Sequence, residues 1–175
     1  MNAPNPITDR KSSLVIDPAE LRKSLSCFPT GVAVVTTMGK HNGPVGVTIS
    51  SFNSVSLDPP LILWSLARKA ASLEDFRASG HFAVNVLSET QADLPRVFSS
   101  PVEDRFETVS WRRGYGGAPV LDGCSAVFEC RTYARHDGGD HEIFLGEVLR
   151  HAAFAAAPLL YAKGRLGTLP KDLLG

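Results

Sequence analysis

Residues 46–60 read GVTISSFNSVSLDPP, and how this stretch is built decides the fold. Val47, Ile49, Phe52, Val55 and Leu57 are threaded through Thr48, Ser50, Ser51, Asn53, Ser54 and Ser56. Apolar and polar residues in near alternation read as an extended strand over 45–57, which Asp58-Pro59-Pro60 breaks. An ordinary solvent face would carry Lys, Glu and Arg, which cost little when exposed. Ser and Thr are short and neutral, and they both donate and accept hydrogen bonds. Two readings of the hydroxyl row stand. It is the polar face of an edge strand, or it is a platform for the polar edge of a flat heteroaromatic ligand. In the second reading Val47, Phe52 and Val55 pack around that ligand, as apolar walls do around a few placed polar groups.

Working outward, Asp17 caps a helix that has Pro18 at its first position and Glu20 in a capping box. Leu21, Leu25 and Phe28 share a face of this helix, and Pro29 ends it. TGVAVVTT (30–37) is β-branched and reads as a strand, followed by a turn centred on Asn42-Gly43. LILWSL (61–66) and HFAVNVL (81–87) are further strands, separated by a short helix over 72–79 with Ser72 as its cap. Ser88 and Gln91 form a capping box before a helix that runs towards Phe98. Residues 99–118, with Pro101 and three glycines, read as an irregular loop. Residues 124–136 and 141–154 are long strands around the turn Asp137-Gly138-Gly139-Asp140, and 158–166 is a last strand. Strands dominate and helices are short insertions. The expected class is mainly β, a closed or half-closed antiparallel barrel. Residues 1–16 are expected to be a disordered tail, 17–167 the domain and 168–175 a C-terminal tail.

The 175 residues suit one domain, and 43% hydrophobic with 21% charged content is that of a globular chain. Lys plus Arg (18) equals Asp plus Glu (18), which argues against a nucleic-acid partner and permits self-association. Cys27, Cys124 and Cys130 form no CxxC pair, as expected of free thiols in a reducing compartment. No apolar run approaches a membrane span, and MNAPNPITDRKSS has no secretion-signal core, so a cytoplasmic location is expected. GxGxxG, GxxxxGK[ST], GxSxG and HExxH are all missing, as is a metal-spaced cluster.

Two constellations stand out. Arg68 and Lys69 precede the helix that Ser72 caps. Cations beside free backbone N–H groups suit a phosphate, but the same residues also make an ordinary solvated turn. His141 follows the glycine turn, where it either reaches a neighbouring site as a donor near neutral pH or stands exposed on a hairpin. Asp104-Arg105-Phe106 reads as a charged loop turn.

Six pieces in order carry a resemblance: FPTGVAVVTT (28–37), GVTISSFNSVSLDPPLILWSL (46–66), SGHFAVNVL (79–87), DRF (104–106), GGDHEIFLGEV (138–148) and PLLYAKGRL (158–166). Together they resemble the small flavin reductases of two-component flavin-dependent monooxygenases, which have the FMN-binding split-barrel fold. The resemblance implies an antiparallel split β-barrel with short helices and a homodimer with flavin at the subunit interface. It implies hydride transfer from NADH or NADPH to FMN or FAD, with the reduced flavin released to a separate oxygenase. It places Thr48, Ile49, Ser50 and Ser51 against the isoalloxazine and ribityl chain, with Ser54, Val55 and Ser56 in the same pocket. Ser65, Arg68, Lys69 and Ser72 would hold the flavin phosphate, and Pro29, Thr30 and Gly31 would lie near the ring. His141 would stand on the nicotinamide side, and Arg165 is a further candidate phosphate or cofactor contact. The same barrel also carries flavin-retaining oxidases resembling the pyridoxamine-phosphate oxidases, and a non-catalytic flavin-binding protein is a third reading.

Overall fold

The computed structural model describes residues 16–41, 43–100 and 105–173. The expected tail over 1–15, Asn42 of the expected turn, Pro101, Asp104 and the last two residues lie outside them. Helix α1 (Pro18–Leu25) starts as expected, with Asp17 Oδ1 accepting the Ala19 N–H at 2.7 Å. Its apolar face has no cover among the described residues. No residue of α1 is buried, and Phe28 is 75% exposed.

The strands follow as β1 (Thr30–Gly31), β2 (Ala33–Met38), β3 (Pro44–Ile49), β4 (Asn53–Leu57) and β5 (Pro60–Ala67). Then come α2 (Leu73–Ser79), β6 (His81–Val86), α3 (Leu94–Ser99), β7 (Trp111–Arg113) and β8 (Pro119–Leu121). The long pair β9 (Ala126–Gly138) and β10 (His141–Ala153) precedes β11 (Leu159–Ala162) and β12 (Arg165–Thr168). Seven strands form one antiparallel sheet in the order β3-β2-β6-β9-β10-β5-β4. A small sheet β1-β11-β12 and the pair β7-β8 flank it.

The order of the large sheet dictates its shape. β3 and β4 are its opposite edges, yet only residues 50–52 separate them in sequence. Three residues span about 10 Å, so the sheet must roll until its edges nearly meet. One apolar cluster records that roll, because it draws residues from β2, β3, β5, β6, β9 and β10. Trp64 lies at its centre with no exposed surface, stacked on Phe144 at 4.6 Å and edge-on to Phe76 and Phe82. Leu73 and Phe76 of α2 join this cluster. A second cluster on the outer face joins Val34, Ala83 and Val127 to Phe98, Val120 and Leu159 from α3, β8 and β11. β2 is therefore buried on both faces, which is why Ala33–Thr37 are buried without a break, the two threonines included. Asn85, fully buried, ties β8 to the sheet: its amide donates to Val34 O (3.0 Å) and Oδ1 accepts the Leu121 N–H (2.8 Å). The two edges do not pair with each other, so the barrel is half-open; β4 pairs only with Pro60–Leu63, and the split lies between β3 and the rest of β5.

Three elements differ from the sequence expectation. The extended stretch 45–57 is two strands on opposite edges. Ser51 Oγ accepts the Ser65 N–H (3.0 Å) and donates to Ser65 O (3.3 Å), pinning the link to β5 across the split. The expected last strand over 158–166 is a hairpin, turned by Lys163 and Gly164 at φ 50° and 76°. These are the two left-handed residues that a tight hairpin requires. Its second strand, β12, runs to Thr168, one residue into the expected tail. Within 99–118, Trp111–Arg113 pairs with Pro119–Leu121 instead of remaining irregular. The capping box at Ser88 forms as expected, ahead of a single 3-10 turn and then α3.

Candidate functional site

The split holds a cavity of about 300 Å³. Its walls are Thr48 and Ile49 of β3, Ser50 and Ser51 of the link, Ser65 of β5 and His141 of β10, with Val47, Leu66 and Ala70 supplying apolar surface. A second cavity of about 380 Å³ shares Thr48, Ile49 and Ser50 and adds Val32, Arg96, Tyr161 and Leu166. A third, of about 530 Å³, shares Val47 and Ala70 and reaches Ser72, Ser100 and Arg105. β3 is thus the spine of a groove that runs from the small sheet to the start of α2. Gly46 lets α3 wall it closely, since a Cβ there would meet the Phe98 ring at 2.8 Å.

The hydroxyls divide into two kinds. Thr48 Oγ1 donates to Pro95 O at 2.9 Å and holds α3 on β3, and Ser51 closes the link. Ser50 and Ser65 have no side-chain partner among the described residues and open into the cavity. Ser72 stands at the N-cap of α2, but its hydroxyl makes no capping bond. These open donors and acceptors between apolar walls fit the edge of a flat heterocycle carrying N–H and C=O groups.

His141 sits opposite Ala67 in the β5–β10 ladder. Its Nδ1 lies 2.7 Å from Asp140 Oδ1. A carboxylate only accepts, so Nδ1 carries the proton and the ring's orientation is set by Asp140. The same bond holds the Asp140 carboxyl below the usual carboxylate range.

Other expected site residues are placed elsewhere. Ser54, Val55 and Ser56 lie on the open edge β4 and do not line the groove of their own chain, because the link carries β4 to the far side of the split. Pro29, Thr30 and Gly31 lead into Val32, which does line it, and Thr30 Oγ1 is buried without a partner. Lys69 and Arg165 are exposed beside the groove's ends. Arg68 is turned away from the groove. Its Nε donates to Gly139 O (2.9 Å) and Nη2 to Asp137 Oδ1 (2.8 Å), against the β9–β10 turn. Arg105, assigned no role from sequence beyond a loop turn, is the cation that lines the third cavity; it also donates to Gly46 O (3.1 Å). The DRF piece was the signal that marked it.

Behind Arg68 a cavity of about 480 Å³ gathers Arg77, Arg135 and Glu142. Glu142 is only 6% exposed. Arg77 hydrogen-bonds it and Arg135 lies at 3.4 Å. The Arg77 bonds hold the Glu142 carboxyl below its ordinary value of 4.5. A carboxyl depressed in the folded state stabilises fully above its unfolded value, and that contribution is lost as pH falls through the folded value. Acid unfolding of Glu142→Gln is therefore expected to show a shallower loss of stability below pH 4.5 than the parent. Thermal midpoints across a pH series check this, and parallel curves would refute it.

The described residues include no helix long and apolar enough to cross a membrane. Burial pushes the thiols of Cys124 and Cys130 up to about 12, and Cys27 is exposed and free.

Comparison with known proteins places this geometry. The chain is 44% identical over 151 residues to the FMN reductase (NADH) SmoA of Agrobacterium fabrum, covering 86% of each. It is 41% identical over 153 residues to the reductase component of the flavin-dependent trigonelline monooxygenase of Acinetobacter baylyi, covering 87% of this chain and 49% of that one. It thus spans about half the length of some curated relatives it matches. The NADH:FAD oxidoreductase SgcE6 of Streptomyces globisporus, solved in complex with NAD and FAD fragments, superposes with a TM-score of 0.85 at 39% identity, over 90% of this chain and 98% of that one. The flavin reductase like domain matches residues 25–170, and with the half-open antiparallel barrel around it the chain belongs to that family.

Proposed function

We propose that the chain is an NAD(P)H-dependent flavin reductase that reduces FMN or FAD and passes the reduced flavin to a separate monooxygenase component. The observation that carries this is the split: it brings Thr48–Ser51, Ser65 and His141, far apart in sequence, around one cavity with open hydroxyls. Bound together, the two cofactors supply the redox chemistry, a two-electron transfer from nicotinamide to flavin.

The chain's own part is to bind and orient. Ser50 and Ser65 bond the flavin's polar edge while Val47 and Leu66 exclude water. Ser72, Lys69 and Arg105 form the end suited to the phosphate, and Thr30, Gly31 and Arg165 border the other. His141, held by Asp140, presents its remaining ring nitrogen to the nicotinamide. The relatives named as reductase components support the oxygenase partner. A homodimer is supported by apolar surface left open on this chain: Leu57 of β4 is 96% exposed, and Leu25 and Phe28 are uncovered. A second copy packed there would bring Ser54, Val55 and Ser56 to a covered position at the flavin. Free thiols fit a cytoplasmic location.

The test is oxidation of NADH and of NADPH by the purified protein, with and without FMN, FAD and riboflavin. Turnover that requires added flavin supports the reading and ranks the pairs. A yellow protein with no turnover would overturn it in favour of a flavin-retaining oxidase or a flavin-binding protein. Within the reading, His141→Ala is expected to raise the nicotinamide KM about tenfold, one lost hydrogen bond, with flavin affinity unchanged. An unchanged nicotinamide KM and rate would remove His141 from the site.

A further inference from the structure

We propose that Arg68 is a positioning residue for His141, acting through the β9–β10 turn and not as a ligand of the flavin phosphate. The proposal rests on His141 standing at the nicotinamide. The geometry is a clamp. The backbone N–H of Arg68 donates to Asp140 O at 2.9 Å. Its Nε donates to Gly139 O at 2.9 Å and its Nη2 to Asp137 Oδ1 at 2.8 Å. Asp137 Oδ1 in turn accepts the Gly139 N–H at 3.0 Å. Both carbonyls that flank the Asp140 α-carbon are therefore fixed by one residue. The Asp140 side chain then has a set direction, and it is this carboxylate that orients the His141 ring at 2.7 Å. Gly139, at φ 75°, supplies the left-handed residue that lets the chain reverse within this clamp.

Arginine is required for a chemical reason. Nε and Nη2 are two donors at fixed spacing on a rigid plane, and they reach a carbonyl and a carboxylate at once. A lysine offers one charged nitrogen on a flexible stem and cannot reproduce the pair. The guanidinium is also drawn against Glu142, 4.0 Å from Nη1, on the side opposite the groove. A phosphate in the groove would have to pull it out of three contacts.

The experiment is a double-mutant cycle between Arg68→Met and His141→Ala, read as steady-state constants for nicotinamide and flavin separately. Methionine keeps the stem and removes the fork. Arg68→Met alone is expected to raise the nicotinamide KM about tenfold and leave flavin affinity within about twofold. In the His141→Ala background the same substitution is expected to change the nicotinamide KM by less than about twofold, because its effect passes through the missing ring. Arg68→Lys is expected to behave like Arg68→Met. Additive effects in the cycle overturn the proposal, as does a fall in flavin affinity in Arg68→Met, which marks a phosphate contact. Full rescue by lysine overturns it too, since charge alone would then suffice. If His141→Ala has no effect on its own, the reading of His141 has failed and takes this proposal with it. If His141→Ala acts and Arg68→Met does not, only the clamp has failed. Should Arg68→Met fold poorly, Asp137→Ala removes the Nη2 and Gly139 N–H bonds at an exposed position but leaves Arg68 Nε on Gly139 O, and a smaller rise in the nicotinamide KM is expected.

Discussion

Trp64→Ala is expected to cost about 3–5 kcal/mol, the range for emptying a fully buried indole site. Trp64 touches a ring on every side, and those rings come from β6, β10 and α2. All three rings are themselves buried, and a packed core relaxes only in part, so a cavity is expected to remain. For a chain of this size the thermal midpoint should fall by roughly 10 °C. Trp64→Phe should lose less than half as much. The indole Nε1 is buried without a hydrogen-bond partner, and phenylalanine removes that orphan donor, a relief of about 1–3 kcal/mol against the lost volume. Denaturant melts of the three proteins decide it. An alanine variant as stable as the parent would mean that the aromatic cluster is not the barrel's core.

Ser50→Trp is the complementary case, with a large functional effect and little structural one. Ser50 is exposed on the link and walls both the first and second cavities. Its side chain holds nothing in place among the described residues. An indole there fills the groove at its junction. Flavin affinity is expected to fall about 100-fold, about 2.7 kcal/mol, with the thermal midpoint unmoved. Fluorescence titration with FMN measures the affinity. Undiminished binding by a folded variant would show that flavin does not occupy this groove.

Much of this site is legible in the residues themselves. Short apolar runs over 61–66 and 81–87, bounded by turn signals, mark buried strands, and both are found. The hydroxyl row marks the groove because long charged side chains would have filled it. The break after Ile49 is only faintly marked, because Ser50-Ser51 interrupts the alternation but no Gly or Pro ends the strand there. It is imposed from afar, by Ser65 receiving the Ser51 hydroxyl and by Phe52 settling against Phe128 at 5.3 Å. Arg68 shows the same limit. Sequence displays its charge, but which carboxylate and carbonyl receive the guanidinium depends on the β5–β10 register. The face of α1 has the right spacing for burial and no partner among the described residues. The 163–164 turn carries its glycine second and a lysine first, a weaker signal than Asn-Gly, so the hairpin reads as one strand.

The small sheet has a consequence for the order in which the molecule assembles. β1 meets β11 with residues 30 and 161 side by side, so this pairing closes a loop that encloses most of the chain. Ladders such as β9–β10, turned by two residues, close almost at once, whereas β1–β11 must wait for nearly everything between them. Tyr161 and Leu166 belong to that sheet and wall one end of the groove. Leu159 of β11 is itself buried in the outer cluster, so this end of the groove takes its shape only once that cluster has packed.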